Sequence, residues 1–166
     1  MLKKSILFVL LAASPLAAQL RSAELTFEGI GCASCLESLP ARILRMRGVE
    51  SAKVDAAKGI LSVKLAGENR VRIEQLRDAI EQDGAKARQA TVSAKGKLIE
   101  QAGRWLLRLP NNGSQFEISL DAAAPSAQYS LKAGAALISG TVKNLRPESG
   151  PMAISPASIE AVDEPE

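Results

Sequence analysis

Across residues 23–92 the apolar positions switch between two spacings. Ala23–Phe27 alternates, with Leu25 and Phe27 on one face, which predicts a strand. Gly29-Ile30-Gly31 breaks the pattern. From Cys35 the period changes, and Leu36, Leu39, Ile43 and Met46 recur at helical steps of three and four. Pro40 lacks a donor, so it should bend the first turns of this helix or delay its start. Gly48 supplies a stop, with Arg45 and Arg47 in the last turn to complement the helix dipole. Val49–Asp55 and Gly59–Leu65 read as two strands around an Ala56–Lys58 turn. Ile73, Leu76 and Ile80 mark a second helix ending near Gly84, and Ala85–Val92 a closing strand. The order is therefore β-α-β-β-α-β. On the second helix Glu74/Asp78 and Arg77/Glu81 stand four apart; a solvated charged face is the expectation, ahead of a catalytic carboxylate pair.

Beyond residue 93 the alternation continues without a helical stretch. Trp105, Leu107 and Leu109 alternate, Asn111-Asn112-Gly113 makes a turn, and Phe116, Ile118 and Leu120 alternate again, so a hairpin is expected. Pro125 and an alanine run form a connection. Tyr129–Lys132, Ala136–Val142 and Met152–Val162 supply further strands, with Gly140 at a bulge or close approach. About five short strands predict a small barrel or sandwich over residues 94–162, with an OB-like barrel the preferred shape. Trp105, Phe116 and Tyr129 are assigned to its core, and Asp163–Glu166 to a frayed acidic tail.

The N-terminus follows a different rule. Lys3 and Lys4 precede an uncharged apolar run, Ile6–Ala13, then Ser14-Pro15 and the small residues Ala17 and Ala18. This is the three-part order of a secretory signal peptide over residues 1–18, with the cut between 18 and 23. The run is too short for a spanning helix, which needs roughly 20 residues. Export to the periplasm or outside the cell is expected, with no stable membrane anchor after cleavage.

Composition narrows the chemistry. The chain of 166 residues has no histidine, which removes Ser-His-Asp and Cys-His catalysis and every imidazole ligand. Aromatics are 3%, too few for a base-stacking surface, so nucleic acid is not an expected partner. Net charge is +3, and removing Lys3 and Lys4 leaves +1, which gives no electrostatic case for DNA or an anionic membrane.

The two cysteines, Cys32 and Cys35, form one Cys-x-x-Cys unit at a loop-to-helix junction. That is enough for one metal or redox site. The positive end of the helix near Cys35 favours a thiolate, the form that binds metal. Two thiolates without a third strong ligand suit soft ions that accept near-linear coordination: Cu(I), Hg(II) or Ag(I). Zinc prefers four ligands and would need carboxylates such as Glu28 or Glu37, or a second molecule. Met46 belongs to the apolar helix face and is read as core. The rival chemistry is thiol–disulfide exchange, which an oxidising compartment would favour. A third reading is an inert disulfide, which closes a very small loop and adds little stability.

The run GIGCASC, the leucine-spaced helix, RGVESAKVD and RIEQLRDAIEQDGAKA together resemble the heavy-metal-associated (HMA) domain family, over about residues 23–92. That family includes soluble copper chaperones, N-terminal modules of metal-pumping ATPases and a periplasmic mercury-binding protein. The resemblance implies a ferredoxin-like fold with the metal on its first loop, and by position makes Cys32 and Cys35 the two ligands. A metal transporter or another metal-binding protein becomes the expected partner. Ile30 stands where methionine is usual. Gly31 replaces the Thr, Ser, His or Asp that often precedes the first cysteine, and the lack of Asp argues against zinc and cadmium. Ala85 replaces an aromatic residue or lysine near the site, and Lys86 follows one place later. The Ala33-Ser34 pair is ordinary for this family, and no tryptophan precedes Cys32 as in thioredoxin-like enzymes. The combined expectation is an α+β protein that is not an enzyme: a metal-binding domain at 23–92 followed by a β-rich domain at 94–162. An exported thiol–disulfide oxidoreductase is the alternative. A sensory or assembly module acting through the second domain is a third reading.

Overall fold

The computed structural model describes residues 19–29, 32–120 and 131–162. Among them the chain runs β1 (Gln19–Glu28), α1 (Ala33–Leu44), β2 (Val49–Asp55), β3 (Ile60–Leu65), α2 (Ile73–Glu81) and β4 (Lys86–Gln101). Then follow β5 (Arg104–Leu109), β6 (Ser114–Ile118), β7 (Gly134–Val142) and β8 (Met152–Ala161). The signal-like segment 1–18, Ile30, Gly31, Tyr129 and the acidic tail lie outside the described residues.

The first six elements form the expected β-α-β-β-α-β unit, with antiparallel sheet order β2-β3-β1-β4. Alternation decides its faces. Ala23, Leu25 and Phe27 of β1 and Leu61, Val63 and Leu65 of β3 are buried with Leu39 and Ile43 of α1 and Ile73, Leu76 and Ile80 of α2. The opposite sheet face carries Ser22, Glu24, Ser62 and Lys64, all at least partly exposed. Pro40 does not delay α1, which starts at Ala33 and continues through it to Leu44. Asn69 is buried between β3 and α2, and its amide is satisfied. Nδ2 donates to the Leu20 and Ala66 carbonyls at 2.8 and 2.7 Å, and Oδ1 accepts from the Val71 N–H at 3.2 Å.

The second half grows out of β4, and the expected boundary at residues 92–94 falls inside that strand. Along one edge β4 pairs with β1 as far as Gln19↔Lys95, then with β5 from Lys97↔Arg108. Along the other edge it pairs with β7, from Ala90↔Val142 to Leu98↔Gly134. β5 pairs with β6, β6 with β8 in parallel, and β8 with β7. The hydrogen-bonded ring β4-β5-β6-β8-β7 therefore closes on β4. Small residues let its strands approach. Gly140 sits at a register shift between β7 and β8, and a Cβ there would stand 2.4 Å from the Ser155 carbonyl oxygen. Both expectations for this glycine are thus met. Phe116 is buried and Trp105 partly buried against the core, as assigned. Leu131 and Lys132 are not in a strand, and Leu120 lies beyond the end of β6 and is exposed.

The charged face of α2 differs from the expectation of a merely solvated surface. The Arg77 guanidinium donates to the Leu145 carbonyl at 2.6 Å and pairs with Asp78 at 2.7 Å, with its side chain only 12% exposed. Arg146 pairs with Glu81. Asn112 Nδ2 donates to the Val71 carbonyl at 2.8 Å. These contacts fasten the barrel to α2, so charges at helical spacing here mark an internal joint. One hydrophobic core accordingly runs through both halves.

Candidate metal centre

Both cysteines lie where β1 gives way to α1. Cys32 is the N-cap of α1, with extended backbone (φ −135, ψ 129), and Cys35 sits in the first helical turn. This refines the expectation that Cys35 meets the free helix end. It is the Cys32 Sγ that accepts the Cys35 backbone N–H, at 3.0 Å. Ser34 Oγ lies 3.5 Å from the same sulfur. The Cys35 N–H, which also reaches the Cys32 carbonyl at 3.2 Å, and the positive end of the dipole thus converge on Cys32 Sγ, an arrangement that favours negative charge there once the pair is reduced. Both residues are half-buried, while Ala33 and Ser34 between them are exposed. The two sulfurs are joined as a disulfide in this structure.

Gly29, at φ +82, adopts a conformation that disfavours other residues. A Cβ on it would lie 4.0 Å from the Gly84 carbonyl oxygen, so the turn after α2 stands beside Gly29 at the end of β1. That turn is tied to α1. The Arg42 guanidinium grips Asp83 with both amino groups, one at 2.8 Å, and also donates to the Ala79 carbonyl at 3.2 Å. The hydrogen bonds from Arg42 hold the Asp83 carboxyl below the ordinary carboxylate range, against the opposing effect of desolvation. The pairing with Asp83 raises Arg42 in turn.

The alternative ligands are not assembled around the sulfurs. Glu28 pairs with Arg88 across the β1–β4 edge, and Glu37 is exposed on α1. Among the described residues no cluster of three or more Cys, Asp or Glu side chains could hold a metal ion. Met46 packs against the core and Met152 is buried. Ala85 is buried and Lys86 exposed. Sequence reasoning missed Ser34 as a neighbour of Cys32, and the Arg42–Asp83 tie between α1 and the turn after α2. The only available signal was Arg42 seven places after Cys35, two helical turns on and so on the same side of α1.

The heavy-metal-associated domain model matches residues 24–95. The copper chaperone CopZ of Staphylococcus haemolyticus (strain JCSC1435) is 39% identical over 57 residues, covering 34% of this chain and 82% of its own length. Among solved structures, a CopZ metallochaperone is 30% identical and covers 40% of this chain and 97% of its own, at a TM-score of 0.36. The N-terminal domain of a potential copper-translocating P-type ATPase from Bacillus subtilis, in the Cu(I)-loaded state, is 26% identical. It covers 41% of this chain and 84% of its own, also at a TM-score of 0.36.

Proposed function

Because the chain belongs to the heavy-metal-associated domain family, we propose that it captures a soft metal ion, Cu(I) foremost, and relays it through Cys32 and Cys35. The observation that carries this reading is the Cys-x-x-Cys pair on the first loop of the matched domain, with Cys32 capping α1. Once reduced, the pair offers two thiolates on a half-exposed turn. A two-coordinate ion held there stays open to an incoming thiolate, so hand-over needs no catalysis by this chain. Hg(II) and Ag(I) share the same bonding preference. Zinc is disfavoured because no described carboxylate joins the pair. The copper-chaperone name of the relative supports copper as the cargo, and the proposed partner is a metal transporter or another metal-binding protein.

The order of residues 1–18 supports export, and the periplasm or the outside of the cell is the proposed location. Among the described residues no helix is long and apolar enough to cross a membrane. The ring β4-β5-β6-β8-β7, with its parallel β6–β8 pair, supports an OB-like shape for the second half. Its proposed task is to dock a partner or shield the site, and nucleic acid is not its proposed ligand.

The test is metal titration of the chemically reduced protein without oxygen. One Cu(I) per chain is expected, with Zn(II) bound far more weakly. A zinc affinity equal to that for Cu(I) would sink the soft-metal reading.

A further inference from the structure

Where α2 meets the barrel, a cleft of about 510 Å³ opens between three walls. The first turns of α2 supply Arg72, Glu74 and Arg77, the start of β6 supplies Ser114 and Gln115, and the loop between β7 and β8 supplies Arg146. The volume falls in the range usual for small-molecule sites, roughly 300–1,000 Å³. Three guanidinium groups against one carboxylate make the lining strongly positive, in a chain whose whole net charge is +3.

The arginines are not used up by the pairs they make. A guanidinium carries five N–H donors. Arg77 spends three, one on the Leu145 carbonyl and two on Asp78. Arg146 gives one amino group to Glu81. Among the described residues no carboxylate pairs with Arg72. The bond from Arg77 also fixes Leu145, the residue before Arg146, so the wall is held before any ligand arrives. Guanidinium forks with donors to spare match the oxygens of carboxylate and phosphate groups. These donors are spread out. Arg72 and Arg77 stand about 7.5 Å apart along the axis of α2 at 1.5 Å per residue, and Arg146 comes from a different wall. A single small oxyanion cannot meet all three.

We propose that this cleft is a second binding site, for a small ligand that carries two or more separated oxyanion groups, carboxylate or phosphate. Arg72 and Arg146 take its outer oxygens, Arg77 supplies charge at the back, and Ser114 and Gln115 add neutral donors. The site is distinct from the metal centre. Neither cysteine lines the cleft, which opens at the start of α2, whereas Gly84, past the other end of that helix, stands beside Gly29.

The test is calorimetric titration of the full chain, free of metal, at low ionic strength. The probes are tricarballylate, which carries three carboxylates, pyrophosphate, and acetate, with sodium chloride at matched ionic strength as the control. Saturable binding of one tricarballylate or one pyrophosphate per chain is expected, and the tighter of the two assigns the group. Arg72→Gln and Arg146→Gln should each weaken it at least about tenfold, as loss of a charge-assisted fork would. Both side chains are exposed, so thermal midpoints should stay within a few degrees of the parent. Arg88→Gln, outside the cleft, should bind like the parent, and reduced Arg72→Gln should still take one Cu(I). No binding beyond the chloride control, equal binding by parent and both cleft variants, or acetate binding as tightly as tricarballylate would overturn the proposal. A glutamate-rich peptide that binds where neither small anion does would also overturn it, and would give the cleft to a protein partner.

Discussion

A Cβ placed on Gly96 would stand 2.4 Å from the carbonyl oxygen of Arg108 and 3.1 Å from Leu107 Cδ1. Gly96 is the residue at which β4 exchanges one neighbour for another. Lys95 still pairs with β1, and Lys97 already pairs with β5. The backbones meet so closely there that no side chain fits. Gly96→Ala should therefore destabilise the protein by about 2 kcal/mol, the usual scale of overpacking a filled interior. Thermal unfolding should show a midpoint lowered by several degrees. Cu(I) binding by the reduced protein should persist, because the cysteine loop lies beyond the opposite end of β4. A variant as stable as the parent would mean the joint is slacker than described.

The Arg42–Asp83 tie makes a signed prediction in pH. The folded-state pKa of Asp83 is lowered, chiefly by the hydrogen bonds from Arg42. A lowered carboxylate stabilises the fold fully above its unfolded value of about 3.9, and that stability is lost as pH falls through the folded value. Asp83→Asn should cost about 1–2 kcal/mol at neutral pH, given a partly buried charge-assisted pair. Its deficit should shrink as the parent is acidified below the carboxylate range. Denaturant melts of both proteins across that range would check it, and a deficit independent of pH would remove the ion pair as the cause.

Much of this arrangement was legible in the residues. Leu39 and Ile43, Leu76 and Ile80 announced both helix faces by spacing, and all four are buried in the core. Cys32 and Cys35 announced the candidate site by chemistry alone, and the structure places both at the start of α1. The long β4 was hidden. Its interior row Ala90, Val92, Ala94, Gly96 and Leu98 contains two alanines and a glycine, so no strong apolar alternation marked the strand beyond residue 92. The β4–β5 turn was hidden too. Ala102 and Gly103 both take positive φ, as a two-residue hairpin turn demands, but alanine at the first position does not advertise it. The joint on α2 was invisible because Arg77 finds a backbone carbonyl 68 residues away, a partner that no local pattern encodes.

Sharing β4 makes the two halves unequal when separated. Residues 19–95 keep the whole β2-β3-β1-β4 sheet, both helices and their buried face. This fragment should fold alone, with a helical circular-dichroism signature and cooperative unfolding. Residues 94–162 lose Ala90, Thr91, Val92 and Ser93, which pair with Val142, Thr141, Gly140 and Ser139 of β7. The ring is then left with a frayed seam, and an open edge strand is a liability. That fragment should be unfolded or aggregated. A well-folded 94–162 fragment would show that the barrel does not depend on the first half of β4.

The two cysteines make the last prediction, because metal carriage and thiol chemistry as the principal activity separate there. Cys32→Ser and Cys35→Ser should each lower Cu(I) affinity at least about a hundredfold, since half of a two-ligand site is lost and serine is a poor donor to a soft ion. Neither change should unfold the chain. Serine is a strong N-cap, so Cys32→Ser keeps an acceptor for the Cys35 N–H at the start of α1. Both positions are half-buried at the very start of α1, with Cys35 one turn before the buried Leu39, and serine is close to cysteine in size, so little packing changes. Unfolding midpoints of the reduced proteins should therefore agree within a few degrees while metal competition curves diverge. An oxidoreductase would behave otherwise. Wild type would rapidly oxidise or reduce a test protein, one cysteine would be indispensable, and loss of the other would accumulate mixed disulfides with substrates. Such catalytic exchange, together with no tight Cu(I) or Hg(II) binding by the reduced wild type, would overturn the metal reading and give the pair to redox catalysis.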